Sequence, residues 1–310
     1  MVSKQGGFCM SYEFSGFISF YKTLEKVFWK ARFPAFSCRK SKRLYSQFVH
    51  VFLHVLKEQF RLSYREVVEF AKSFRLERLF CIRRIPHFST LQKFLQRIDK
   101  TLFERLVRAC SRVLKLADLS VSVDSTGMAL TNPSHYYQNR INAPRVKNFV
   151  KFSLVIDNKS KLILNVKTHS NNQHDNLDFK PLLSEITQKI RTVLADKAYD
   201  SEENLRFVLE DLKARVFIPV REHKQQRLGY GHKPLIHGKL RRRMFQNFDI
   251  DKYHQRSNVE STISSVKRLH GASVQARLPQ NQEKNATIKA LTYNIKKTQK
   301  LTKITIKIET

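Results

Sequence analysis

At 310 residues the chain can bury one large core or two smaller ones, and its 58 Lys and Arg against 26 Asp and Glu give a net charge of +32. The excess is even, +15 through Ser120 and +17 beyond it, which excludes a neutral enzyme with a basic tail and points to an extended polyanion as partner. The longest apolar stretches, such as SQFVHVFLHVLKEQF, are too short and too interrupted to span a bilayer, and MVSKQGGFCMSYEFSG lacks the apolar run of a signal peptide, so no membrane partner is expected.

Residues 1–118 read as mostly helical. Ser63 and Glu66 form a capping box, with Val67, Phe70, Ala71 and Phe74 following at helical spacing. After a break at Pro86, Ser89 or Thr90 can cap a second helix with Leu91, Phe94, Leu95 and Ile98 on its apolar face and Lys93 and Arg97 pointing away. Two short helices with a tight connection and a basic outer face suit a helix-turn-helix-like DNA reader, in which Lys93 and Arg97 would touch DNA; a plain bundle with a solvated face is the alternative.

From Leu119 the texture changes to an α/β pattern. LSVSVDSTGMAL alternates as a half-buried strand up to Asp124, and VKNFVKFSLVIDNKSKLILNVKTHS holds two strand-like runs around a turn at Asp157–Ser160. NLDFKPLLSEITQKI reads as a helix with Pro181 in its first turn. RTVLADKAYD is a strand running into Asp196, SEENLRFVLEDLK a helix and ARVFIPVR another strand. A basic loop, His237 to Arg243, grips flanking DNA or is simply solvated. Cys9, Cys38, Cys81 and Cys110 form no CxxC pair, and reduced, mostly packed thiols are expected.

The last feature is YHQRSNVESTISSVKRLHG. At about 100° per residue, Arg256 and Glu260 lie about 40° apart around a helix and Lys267 returns to within about 20° of Glu260. Tyr253 falls on the same side, while Val259, Ile263 and Val266 form a separate apolar stripe. Alone, Arg256 and Glu260 could be a surface ion pair worth a few tenths of a kcal/mol. Asp124 and Asp196, each at a strand end, could likewise be turn formers or caps, Asp175 a cap or an accessory, and Ser125 and Thr126 caps or phosphate holders. A mixed sheet with neighbouring first and fourth strands would bring the two aspartates together. Three carboxylates so gathered would suit hard divalent cations, which take oxygen ligands, and paired ions can drive phosphodiester displacement.

VSVDSTG, LADKAYDS and the Tyr253, Arg256, Glu260, Lys267 spacing together resemble the catalytic core of the DDE transposases of the IS4 and IS5 insertion-sequence group, over roughly residues 119–297. In the N-terminal region IPHFSTLQKFLQRI is the most familiar segment. The resemblance implies an RNase H-like mixed sheet flanked by helices, preceded by a mostly helical DNA-binding region. It implies that Asp124, Asp196 and Glu260 are the catalytic residues and ligate two Mg²⁺ or Mn²⁺ ions. It also implies cut-and-paste chemistry on double-stranded DNA at element ends and target, by a homodimer or higher assembly in a prokaryotic, nucleoid-associated cytoplasmic setting. Tyr253, Arg256, Lys267 and Lys197 would then position DNA. On this basis residues 1–118 form one domain and 119–310 another. The alternatives are a nuclease or resolvase without strand transfer and an inactive, domesticated DNA-binding protein.

Overall fold

The computed structural model describes residues 7–37, 42–130, 149–171, 173–221 and 236–309. Six helices come first: α1 (Gly7–Lys30), α2 (Gln47–Phe60), α3 (Tyr64–Ser73), α4 (Leu76–Leu79), α5 (Phe88–Arg97) and α6 (Thr101–Val113). Then come β1 (Leu119–Leu130), β2 (Phe149–Asp157), β3 (Ile163–His169), α7 (Asp175–Ser184), β4 (Ile190–Ala195), a 3₁₀ turn (Lys197–Tyr199), α8 (Glu202–Arg206) extended by a π turn to Asp211, and β5 (Arg215–Phe217). The chain continues through α9 (Lys239–Gln246), α10 (Ile250–Tyr253), a 3₁₀ turn (His254–Arg256), α11 (Ser257–His270), β6 (Ser273–Val274) and α12 (Pro279–Glu309). Among the described residues no helix is long and apolar enough to cross a membrane.

Contacts divide the chain into two compact units: Met1–Lys115 with Leu269–Gly271 and Ala276–Thr310, and Leu116–Arg268 with Ala272–Gln275. The sequence pattern carries the second domain to residue 310. The contacts group α12 with the helical unit, because its buried Ala286, Ile288, Ala290, Leu291 and Ile295 serve a helix that packs on α2 and α6.

In the helical unit α2 is buried almost all round, from Val49 to Glu58, and accordingly central. The Phe52 ring meets those of Phe17, Phe20, Tyr21, Phe48 and Phe80 at centroid distances of 5.3 to 6.2 Å. The Ser63–Glu66 capping box forms, with Ser63 N donating to Glu66 (2.6 Å) and Glu66 N to Ser63 Oγ (3.2 Å). Two expectations need correction. The connection between α3 and α5 is not tight: it runs from Phe74 to His87, takes left-handed backbone at Arg75 and Cys81, and contains α4. The cap of α5 is neither Ser89 nor Thr90 but His87, whose Nδ1 accepts from Ser89 N, so the helix starts two or three residues earlier. Cys81 and Cys110 are free thiols, the first exposed and the second buried; Cys9 and Cys38 lie outside the side chains described.

The second unit is the expected mixed sheet flanked by helices, with the RNase H-like strand order β3-β2-β1-β4-β5. β2 runs antiparallel to β1 and β3, while β4 is parallel to β1 and β5. One core gathers Leu119, Val121 and Val123 of β1, Phe179, Leu182 and Leu183 of α7, and Val193 and Ala195 of β4. Pro181 is not in the first turn of its helix, as α7 begins at Asp175.

Candidate active site

β1 does not end at Asp124. It continues to Leu130, paired with β2 through Ala129↔Phe149, while its pairing with β4 stops at Val123↔Ala195. Asp124 thus sits where β1 loses its parallel neighbour, and Asp196, the next residue of the ended strand, stands beside it. Asp196 also caps the 3₁₀ turn, accepting from Lys197 N at 2.6 Å. Ser201 separately caps α8 through Asn204 N, so that helix makes no demand on Asp196.

The third carboxylate arrives on α11. Val259 and Val266 are fully buried and Ile263 nearly so, which fixes the helix by the predicted stripe. Arg256 Nη1 donates to Glu260 Oε1 at 2.7 Å, as the i,i+4 spacing requires. The same guanidinium does more than a surface pair would: its Nη2 lies 3.6 Å from Asp124 Oδ2 and 3.5 Å from Asp196 Oδ2. Asp124, Asp196 and Glu260 therefore meet around one arginine. Side-chain exposure rises from 18% at Asp124 through 40% at Asp196 to 56% at Glu260, grading the site from its floor to solvent.

The electrostatics follow from that crowding. Burial raises the Asp124 carboxyl above its ordinary pKa, and the charges of Asp196 and Glu260 add to this against the Ser125 N–H and Arg256. Burial disfavours the Arg256 charge, but Tyr253, Asp124, Asp196 and the Glu260 bond together raise its pKa. Three carboxylates against one guanidinium leave a local excess of negative charge. Among the described residues no group of three His, Cys, Asp or Glu is gathered closely enough to hold a metal ion, because these acids converge on Arg256. Their donor chemistry is nonetheless that of a hard cation site: oxygen only, with no soft ligand near.

The remaining expected residues divide. Lys267 Nζ donates to Thr126 Oγ1 at 2.6 Å, tying α11 to β1, and burial lowers its pKa. Tyr253 packs against Phe248 (5.2 Å between centroids), and burial raises its phenol pKa. The Lys197 side chain is exposed next to Asp196. Lys93 and Arg97 belong to α5 of the helical unit and take no part in this cluster.

A buried polar network adjoins Asp124 that the sequence pattern did not bring out. Ser125 N donates to Asp124 and Ser125 Oγ to Asp175 Oδ1 (2.6 Å). Lys151 Nζ sits 3.0 Å from Asp175 and 3.1 Å from Asp178. Burial would raise the Asp178 carboxyl, but bonds from His169 and Ser153, the His169 charge and the Lys151 bond hold it down at about 2. The signal was Lys151 itself, a cation inside the apolar run NFVKFSLVID that needs buried counter-charges.

The basic run at Lys239–Arg243 forms α9. Arg241 grips Asp200 with Nε at 2.9 Å and Nη2 at 2.6 Å, leaving Lys239, Arg242 and Arg243 exposed. Gly238 cannot cap this helix, and the Glu202 carboxylate does so instead, accepting from Leu240 N (3.0 Å) and Arg241 N (3.1 Å). Gly238 has φ +97, and an added Cβ would lie 2.2 Å from Glu202 Oε2. Gly238→Ala is therefore expected to lower stability by about 1–3 kcal/mol, through left-handed strain and displacement of the cap. Urea unfolding checks this, and an unchanged midpoint would refute it.

No curated protein matches the sequence significantly. A cryo-EM structure of a piggyBac transposase synaptic complex with hairpin DNA aligns over 92% of this chain and 78% of that one, at 11% identity and a TM-score of 0.45. The sequence model for the transposase DDE domain matches residues 117–295, which takes in β1, the sheet, both aspartates and the Glu260 helix. With that match spanning more than half of its length, the chain belongs to the transposase DDE domain family.

Proposed function

We propose that this transposase binds the ends of an insertion sequence and catalyses metal-dependent strand cleavage and strand transfer, in cut-and-paste fashion, with Asp124, Asp196 and Glu260 as the catalytic carboxylates. The observation that carries this reading is the meeting of those three side chains, from two adjacent strands and one helix, around Arg256. The excess negative charge and the all-oxygen donor set fit Mg²⁺ or Mn²⁺ held by the three carboxylates. A bound pair of such ions would supply an activated water or 3′-hydroxyl and a steadied leaving oxygen.

The chain's own residues prepare that chemistry. Asp124, least exposed of the three, is fixed by Ser125 N, and Arg256 keeps the acids from repelling one another apart. Lys267 and Tyr253 border the cluster, and Lys197 stands exposed at its edge, where each can orient a DNA end by its phosphates. The protein acts on double-stranded DNA as a homodimer or larger assembly, in the cytoplasm of a prokaryote.

The deciding experiment incubates the protein with supercoiled plasmid carrying candidate element ends. Strand-transfer products with Mg²⁺ or Mn²⁺, and none in excess EDTA, are expected. Nicks without joining would make the protein a nuclease or resolvase, binding without cleavage a domesticated DNA-binding protein, and full cleavage in EDTA would refute the metal assignment.

A further inference from the structure

The helical unit holds a cleft of about 740 Å³ whose wall takes cations from four separate stretches: Lys42 and Arg43 ahead of α2, Lys72 on α3, Arg84 in the connection and Arg97 on α5. Among the described residues no acidic side chain lines it. Lys72 has Glu69 within 2.9 Å, yet that pair is well exposed and binds the ammonium weakly. Folding brings like charges from separate stretches around one hollow, and an anion entering it would relieve their repulsion.

The floor carries a second, independent sign. His50 lines the cleft at 7% exposure, stacked on Phe94 with centroids 4.4 Å apart and planes 12° from parallel. Its Nδ1 is buried with no hydrogen-bond partner. Burial first, then the Arg97 charge, lowers its pKa to about 4, so the ring is neutral at pH 7 and can offer one N–H to an oxygen acceptor. An unpartnered ring nitrogen on a residue that shares the cleft lining with these cations suits an anion rich in oxygen.

We propose that this cleft is a binding site for the phosphates of a DNA strand and is the main backbone grip of the helical unit. The proposal rests on the DNA-processing function above. A strand presents one phosphate per about 3.4 Å of rise, so several fall within a hollow this size and answer its several cations. Five cations exceed what a free phosphate or a single nucleotide needs. Arg97 belongs to this grip, whereas Lys93, on the outer face of α5, is not part of the cleft wall.

The test uses the full chain and a fluorescent duplex lacking element ends, titrated across salt concentrations. Lys42, Lys72 and Arg84, all exposed, are changed together to Gln; Lys26, Lys30 and Arg78, equally exposed, form a control of the same charge. The cleft triple is expected to flatten the slope of log K against log salt by about 2.7, at about 0.9 for each phosphate no longer neutralised, and the control by less than about 1. Arg84→Gln alone should flatten it by about 0.9, a readout free of any cumulative effect on folding. Equal flattening by both triples, or none by the cleft triple while the wild type binds with its usual salt dependence, would overturn the cleft and leave the function untouched. Competition by ATP or inorganic phosphate alone, with duplex binding unchanged in the cleft triple, would also overturn it in favour of a small anion. A wild-type protein that binds no duplex at any salt would remove the underlying DNA reading, and the cleft assignment with it.

Discussion

Glu260→Gln is expected to abolish both strand cleavage and joining while leaving DNA binding and stability nearly intact. The substitution keeps size and helix propensity and removes only the charge that completes the three-acid cluster. Loss of even an outer partner of a metal ligand costs 10–100-fold in activity, so with Glu260 as the proposed ligand its loss should cost at least about 100-fold. Stability should barely move, because the Glu260 side chain is 56% exposed and water can take over its bond to Arg256, which keeps Asp124 and Asp196 beside it. Arg256→Ala should behave differently. It strips the cation from among three carboxylates, so activity should fall through misplacement of the acids without complete loss. Comparing purified variants on the same plasmid substrate separates these outcomes. Wild-type cleavage by Glu260→Gln would reduce the helix to the ordinary surface pair that its spacing alone allows.

The convergence at this site was largely legible, because it depends on coarse periodicities. Alternation identified β1, the LADKAYDS stretch identified the end of β4, and the 3.6-residue period put Glu260 and Lys267 on one side of α11, whereas Arg256, read as part of the same helix, stands in the 3₁₀ turn before it. What escaped has local or long-range causes. Ser125 and Thr126 read as caps or phosphate holders, yet pairing with Ser153 and Phe152 carries them on as strand. Periodicity marks α12 as a helix but does not say which core it joins. The Lys151 network escaped because its partners, Asp175, Asp178 and His169, come from other elements. The long connection between α3 and α5 depends on left-handed backbone at Arg75 and Cys81, conformations that neither residue type announces.

In the helical unit the largest stability effect is expected at Glu58, where one carboxylate answers two buried ammonium groups. Lys57 Nζ lies 2.9 Å from Glu58 Oε1 and Lys289 Nζ 3.0 Å from Oε2, with all three side chains at most 10% exposed. Lys289 also donates to the His270 carbonyl. Glu58→Ala leaves both cations without their counter-charge in a place water does not reach. Breaking such a pair costs about 3–5 kcal/mol, which lowers Tm by on the order of 10 °C for a protein of this size. Glu58→Met with Lys289→Met should lose distinctly less, because an apolar replacement removes the second charge along with the first. The pH dependence has a definite sign. Burial alone would raise the Glu58 carboxyl, but Lys57 and Lys289 outweigh it and hold the pKa below its ordinary value of 4.5. A depressed carboxyl contributes stability that is fully present above the unfolded value and is lost as pH falls through the folded one. The gap in unfolding free energy between wild type and Glu58→Ala should therefore be constant near neutrality and narrow progressively below about pH 4.5. A gap that stays constant into that acid range would show that the loss comes from the removed side-chain volume and not from the charge.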